Sequence, residues 1–259
     1  MPDRAADWLD AALHYRLWFS ETDEHDSVSL PFSLCRRDDL VVVRNVSCGV
    51  TDDREIRLFD LEVWVEVGDQ AIPPGPLDIV AGLVEGTLGD GVPGHRLMER
   101  WECAVVRAGA ECGRLSVVPE GMLTRLADMA TFRDQDLELE TFNRAFEIGT
   151  TDRRFASDFL DARMVEFLQA RAGGCVVEAV GNRILVAQRA TDPPDIDGLI
   201  ARAVGIAERV PNAVQSLAPA LPTAALTPRC PIGPDGRPQA VEPASADDGI
   251  WVQDPGGWA

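Results

Sequence analysis

The sequence predicts an α+β protein: an antiparallel sheet with packed helices, a helix–hairpin–helix C-terminal half, and a disordered Pro-rich tail. Three observations carry this. Strict alternation runs through Ile56–Val67, with Phe59, Leu61, Val63, Val65 and Val67 on one face and Asp60, Glu62 and Glu66, with Trp64, on the other; that is the period of a half-solvated antiparallel strand. Helical stripes and strands are mixed in hairpin order rather than in βαβ crossovers, which argues for an antiparallel sheet. Beyond Pro211 periodicity ends, and nine of the eighteen prolines fall in the last 49 residues.

In chain order, Trp8, Leu9, Ala12 and Leu13 make one apolar stripe, so 4–13 reads as a helix. Tyr15–Ser20 reads as a strand and ETDEHDS as an acidic connector. Residues 40–48, ending at Gly49, form a strand that pairs with 56–67 through the short link Thr51–Glu55. Residues 68–97, with Pro73, Pro74 and Pro76 and many glycines, read as a long insertion. Its GDGVPG matches no phosphate-binding fingerprint. Strands resume at Trp101–Arg107 and Leu115–Val118; Pro119 opens a helix to Ala130, and 134–140, DQDLELE, alternates again.

Thr151 or Asp152 caps a helix running to about Ala172, with the stripe Phe155, Ala156, Phe159, Leu160, Met164, Phe167 and Leu168, ended by Gly173 and Gly174. CVVEAV, Gly181–Asn182 and RILVAQR read as a two-residue β-hairpin. Asp192–Pro193 starts the last helix, burying Ile196, Leu199, Ile200, Ala203 and Ala207. The expected organisation is a body over 1–210, with sub-lobes about 1–130 and 131–210, and a tail over 211–259. No internal repeat recurs at a fixed offset.

The 259 residues carry a formal charge of −19 and a pI near 4.4, and all 24 basic residues are arginine. This balance disfavours nucleic acid and anionic membrane as partners. No apolar run reaches a membrane span, and the N-terminus lacks the pattern of an export signal. The expectation is therefore a cytoplasmic protein, with any membrane association peripheral and through a partner.

The six cysteines, Cys35, Cys48, Cys103, Cys112, Cys175 and Cys230, include no C-x-x-C pair. In a reducing compartment they read as buried free thiols. His14 falls in the first helix and His95 in the Gly-rich stretch. His25, between Asp23 and Asp26, offers ligand types for a cation, but a solvated acidic turn accounts for the same residues. No metal and no cofactor are expected. The acids of 134–140 and Asp60 read as solvent faces of strands.

NVSCGVTDDREIRLFDLEV at 45–63, VVPEGMLTRLADMA, and above all FNRAFEIGTTDRRFASDFL resemble a group of uncharacterised actinobacterial proteins. These are similar to a bacterial domain of unknown function often found beside membrane segments. The resemblance spans roughly 8–214. It implies an α+β module with no known enzymatic activity, and it assigns no catalytic residues. In physical terms, Phe142, Phe146, Phe155 and Phe159 clamp helix to sheet, each contributing about 1.5–3 kcal/mol.

The expected function is a non-catalytic interaction or adaptor module that binds an unknown protein partner through Trp251 and Trp258 of the tail. One alternative is a binder of a small apolar or lipid-like ligand. The other is a carboxylate-dependent hydrolase using Asp60 or the acids at 134–140, which needs two carboxylates in one cleft.

Overall fold

The computed structural model describes residues 4–22, 30–35, 40–67, 92, 94–122, 142 and 144–217. In chain order it contains α1 (Arg4–Tyr15), β1 (Trp18–Thr22), a short 3-10 turn (Ser33–Cys35), β2 (Leu40–Thr51), β3 (Arg54–Glu66), β4 (His95–Pro119) and β5 (Phe146–Thr150). Then come α2 (Arg153–Phe159), α3 (Ala162–Arg171), β6 (Cys175–Arg189), α4 (Ile196–Glu208) and α5 (Asn212–Leu217). The mixed α+β class with an antiparallel sheet is as the sequence predicts.

The six strands form one antiparallel sheet. β4 organises it. One of its edges pairs with β3 over 95–106 and then with β5 over 115–119, and its other edge pairs with β6 over 101–117. A single sheet therefore joins residues from both halves of the chain. β2 and β3 meet in a tight turn where Asp52 and Asp53 both have positive φ, 48° and 57°. That is the turn whose twist matches a hairpin.

Several elements differ from expectation. The two strands read at 101–107 and 115–118 are parts of one long β4, which bends where Gly109 takes φ +74° and the register slips between Arg107 and Leu115. β6 is likewise continuous. Gly181, at φ +58°, is a bend in a strand that pairs with β4 on both sides of it, not the turn of a hairpin. The physical reason is the partner: β6 follows the bend of β4 rather than folding back on itself. In addition, His95–Leu97 belong to β4 rather than to the insertion, and Pro119 closes β4 rather than opening a helix. The helix expected over 120–130, beyond Met122, lies outside the described residues.

The helix expected over 152–172 is two helices. Asp152 caps α2, its side chain accepting from the backbone N–H of Arg154 and Phe155. Asp161 caps α3 through the Met164 N–H at 2.9 Å. The cap of α4 is Asp195, three residues beyond Asp192, accepting from the Gly198 N–H. Regular structure continues past Val210 into α5, whose Val214 is buried.

Hydrophobic layers lie on both faces of the sheet. On the first, Ile56, Leu58, Ala104, Val106, Ile184 and Val186 pack with α1 and α2–α5. Phe142 and Phe146 sit in this layer with ring centroids 4.8 Å apart, and Phe155 packs against Phe159. On the second, Phe59, Leu61, Trp101, Cys103, Val105 and Leu185 join Leu30, Phe32 and Leu34. β3 is thus buried on both faces rather than half-solvated.

Among the described residues no helix is long and apolar enough to cross a membrane. The five described cysteines are buried, and disulfide bridges among them are absent from the described residues. Burial pushes the Cys103 thiol well up, that of Cys112 up to about 12, and that of Cys175 up. None of these three is poised as a thiolate nucleophile.

Candidate functional site

The strand face read as solvated carries the densest cluster of charged groups among the described residues. Asp60 and Glu62 of β3 are 1% and 2% exposed, and Glu102 of β4 is fully buried. The register sets Asp60 directly opposite Glu102, and directly opposed residues of an antiparallel pair point to the same face. Sequence alternation identified that face correctly but not what covers it.

Arginines cover it. Arg4, in the first turn of α1, forks onto Asp60: Nε donates to Oδ2 at 2.7 Å and Nη2 to Oδ1 at 2.7 Å. The same Nη2 donates to Glu102 Oε1 at 2.9 Å, and Nη1 donates to the Thr191 carbonyl at 2.7 Å. Burial opposes the guanidinium charge, but the hydrogen bonds and charges of Asp60 and Glu102 outweigh it and raise the Arg4 pKa above its ordinary value. Asn45 donates to Asp60 Oδ2 at 2.9 Å. It does so from a left-handed backbone, φ 52°, at the irregularity between Arg44 and Ser47.

Glu102 accepts further bonds from Gln188 Nε2 at 2.6 Å and from the Thr191 N–H at 2.9 Å. Gln188 in turn accepts from Arg202 of α4, which also holds Asp195 at 2.8 Å. Glu62 is held by Arg100, Nε at 3.0 Å, by Arg44 at 3.2 Å and by the Trp64 indole N–H at 3.1 Å. Arg189 pairs with Glu99 and stacks on Trp101, 4.2 Å from the ring centroid.

Beside this network lies an open cleft of about 360 Å³ between α1 and the connector into α4. Asp7, Asp10 and His14 line one wall, and Pro193, Pro194, Asp195 and Asp197 line the other. At its rim the Tyr15 hydroxyl donates to Asp197 Oδ1 at 2.9 Å. Burial, this bond and the charges of Asp197 and Asp52 push the Tyr15 pKa up to about 12.

What the arrangement does is tie carboxylates from two strands to one helix. The two carboxylates that a hydrolase would need do face each other, but one guanidinium bridges them. Every oxygen of Asp60 and Glu102 accepts at least one hydrogen bond. Among the described residues no group of three or more His, Cys, Asp or Glu is placed to hold a metal ion.

The structure therefore engages Asp60 and places His14 in the cleft, while His95 begins β4, half-buried. The acids of 134–140, His25, Trp251 and Trp258 lie outside the described residues. Sequence reading missed Arg4, Glu102 and Gln188. The available signal was two acids within the apolar run Leu58–Val65, in a chain whose basic residues are all forked guanidiniums.

No family model matches the chain, and no curated protein matches it in sequence. Among solved structures, the fold is similar to the crystal structure of the mycobacterial trehalose monomycolate transport factor A, TtfA. The identity is 11% and the TM-score 0.52, over 86% of this chain and 100% of that one. At that identity the likeness is one of fold.

Proposed function

We propose that this protein is a non-catalytic interaction module, an accessory factor rather than an enzyme. The observation that carries the reading is the bridging of Asp60 and Glu102 by Arg4, which commits the best-placed carboxylate pair to holding the fold together. The fold likeness to a transport factor supports an accessory role. Trp251 and Trp258 are the anchors proposed for the protein partner, since tryptophan is the residue most enriched where binding energy concentrates.

Crosslinked capture with the full chain as bait is expected to retain one partner stoichiometrically. The double variant Trp251→Ala, Trp258→Ala is expected to lose it with an unchanged melting temperature. Turnover of an ester or glycoside substrate that disappears in Asp60→Asn would overturn the reading in favour of a hydrolase.

The second reading, a binder of a lipid-like ligand, is favoured by one specific observation: the similar structure is that of a factor named for transport of trehalose monomycolate. The cleft between α1 and α4 speaks against that position for an acyl chain, because four of its lining residues are aspartates and apolar pockets hold such chains. Saturable binding of a fluorescent fatty acyl probe to the full chain would move the assignment to this reading.

A further inference from the structure

We propose that the C-terminal segment Asp247–Asp254 docks on its own chain, at the end of the sheet's second face where Val65, Val67 and Met98 emerge around Arg96. The seat continues the second hydrophobic layer. Val63 belongs to that layer, and alternation puts Val65 and Val67 on the same face beyond it. Val67 extends the ladder of β3 and β4 by one step, its N–H donating to the Gly94 carbonyl at 3.0 Å. Arg96 stands directly opposite Val65, and its Nη2 donates to the Met98 sulfur at 3.3 Å. Val65 is half-buried, while Val67 and Met98 are each 51% exposed.

Charge selects the occupant. Arg96 is exposed and, among the described residues, pairs with no carboxylate. The neighbouring charges on this face, Glu99 and Arg189, pair with each other. The seat therefore carries a positive excess in a chain of net charge −19. The segment DDGIWVQD, Asp247–Asp254, is its complement. It sets an apolar centre of Ile250, Trp251 and Val252 between aspartates, and the sequence holds no basic residue after Arg237. Once seated, the apolar centre covers Val67 and Met98, and an aspartate meets the Arg96 guanidinium. An indole ring against a thioether is itself a favourable contact.

Reach does not limit the contact. Extended, the chain from Leu217 to Trp251 spans up to about 110 Å, against a radius of gyration of about 17 Å for a body of this size. The tether holds the segment at an effective concentration on the order of millimolar, which populates a contact too weak to hold in trans. Such a contact opens on warming before the body melts, so the melting temperature does not register it. At rest it covers Trp251. A partner that uses the same ring then binds only the undocked fraction of the chain, and its apparent affinity is reduced by that fraction. The contact itself goes beyond the partner reading and needs no partner to form.

The test uses the absence of lysine from the chain. Arg96→Lys gives the full chain a single side-chain amine while keeping the positive charge. A carbodiimide then joins that amine, as a zero-length amide, to a carboxylate in contact with it. Peptide mapping of the monomer is expected to find the amide between position 96 and Asp247, Asp248 or Asp254, in a yield independent of protein concentration. Adding Trp251→Ala is expected to lower that yield about tenfold or more, and Val67→Ser with Met98→Ser to do the same. Trp258→Ala is expected to leave it within about twofold. No amide to 247–254, an amide to them formed only between two chains, or a yield unmoved by Trp251→Ala would overturn the proposal. Partner capture is read separately on chain that has not been crosslinked, so an amide found without a captured partner supports this contact and counts against the partner reading alone.

Discussion

Replacing Arg4 by methionine keeps the length and much of the helix propensity of the side chain while removing its charge and its donors. The structure then holds Asp60 and Glu102 opposite each other with no cation between them, Asp60 keeping only Asn45 as a donor and Glu102 keeping Gln188 and Thr191. Arg4 itself is 18% exposed at its side chain and its two partners at most 2%, so solvent screening is modest. Removing one partner of a buried ion pair costs about 3–5 kcal/mol, because the other charge stays buried. For a domain of this size that is a fall in melting temperature of roughly 6–20 °C.

Urea denaturation should show the midpoint falling with the slope unchanged. Adding Asp60→Asn and Glu102→Gln to Arg4→Met should restore much of the loss, since no uncompensated charge then remains. Asp10→Ala, an exposed position on the cleft side of the same helix, is the control and should stay within about 0.5 kcal/mol of wild type. An Arg4→Met loss no larger than that of the control would refute the reasoning. A triple variant less stable than the single one would refute it equally.

Gly205→Ala should destabilise despite gaining up to about 1 kcal/mol of helix propensity. The new Cβ would stand 2.5 Å from Phe167 Cζ, on a ring stacked at 4.2 Å under the Arg209 guanidinium, and overpacking of that kind costs about 1–3 kcal/mol in thermal or urea melts. Truncation after Val210 should cost about 1.5–3 kcal/mol for the lost burial of Val214 alone. Truncation after Leu217 should leave the melting temperature unchanged, and equal losses from the two would refute a body that includes α5. Tyr15 contributes stability that is intact below its ordinary pKa of 10 and is lost as pH rises toward about 12. Tyr15→Phe should therefore flatten part of the alkaline limb of the stability–pH curve.

What could be read from the sequence was whatever short-range patterns determine. The stripe of α1, the cap Asp152, the Thr51–Arg54 hairpin and the buried set Ile196, Leu199, Ile200, Ala203 and Ala207 are all local, and all are present. The misreadings share one cause. Gly181–Asn182 satisfies the rules of a hairpin turn, but whether a strand folds back or bends depends on its partner, and β4 has its own bend at Gly109. Asp60 and Glu62 alternate with apolar residues as a solvent face does. Their burial depends on Arg4 and Arg100, which lie 56 and 38 residues away. Alternation shows which side chains share a face and is silent on what lies over it.

Those arginines also give physical meaning to the absence of lysine. Asp60 takes Nε and Nη2 of a single guanidinium, and Glu62 takes the same two atoms from Arg100. An ammonium presents no such fork and is more strongly hydrated, so it is the poorer partner for a carboxylate already removed from water. The connections are long in sequence as well. Arg4 reaches β3, β4 and the connector at Thr191, and Glu102 continues through Gln188 and Arg202 to the cap of α4 at Asp195. One run of charge-assisted bonds thus links the first helix, the centre of the sheet and the helix that packs across β4 and β6. In a chain of net charge −19, gathering buried carboxylates around forked cations keeps part of that negative charge from repelling itself inside the fold. The N-terminal helix, through one residue in its first turn, thus ties the strands of the N-terminal half to the connector at Thr191 in the C-terminal half.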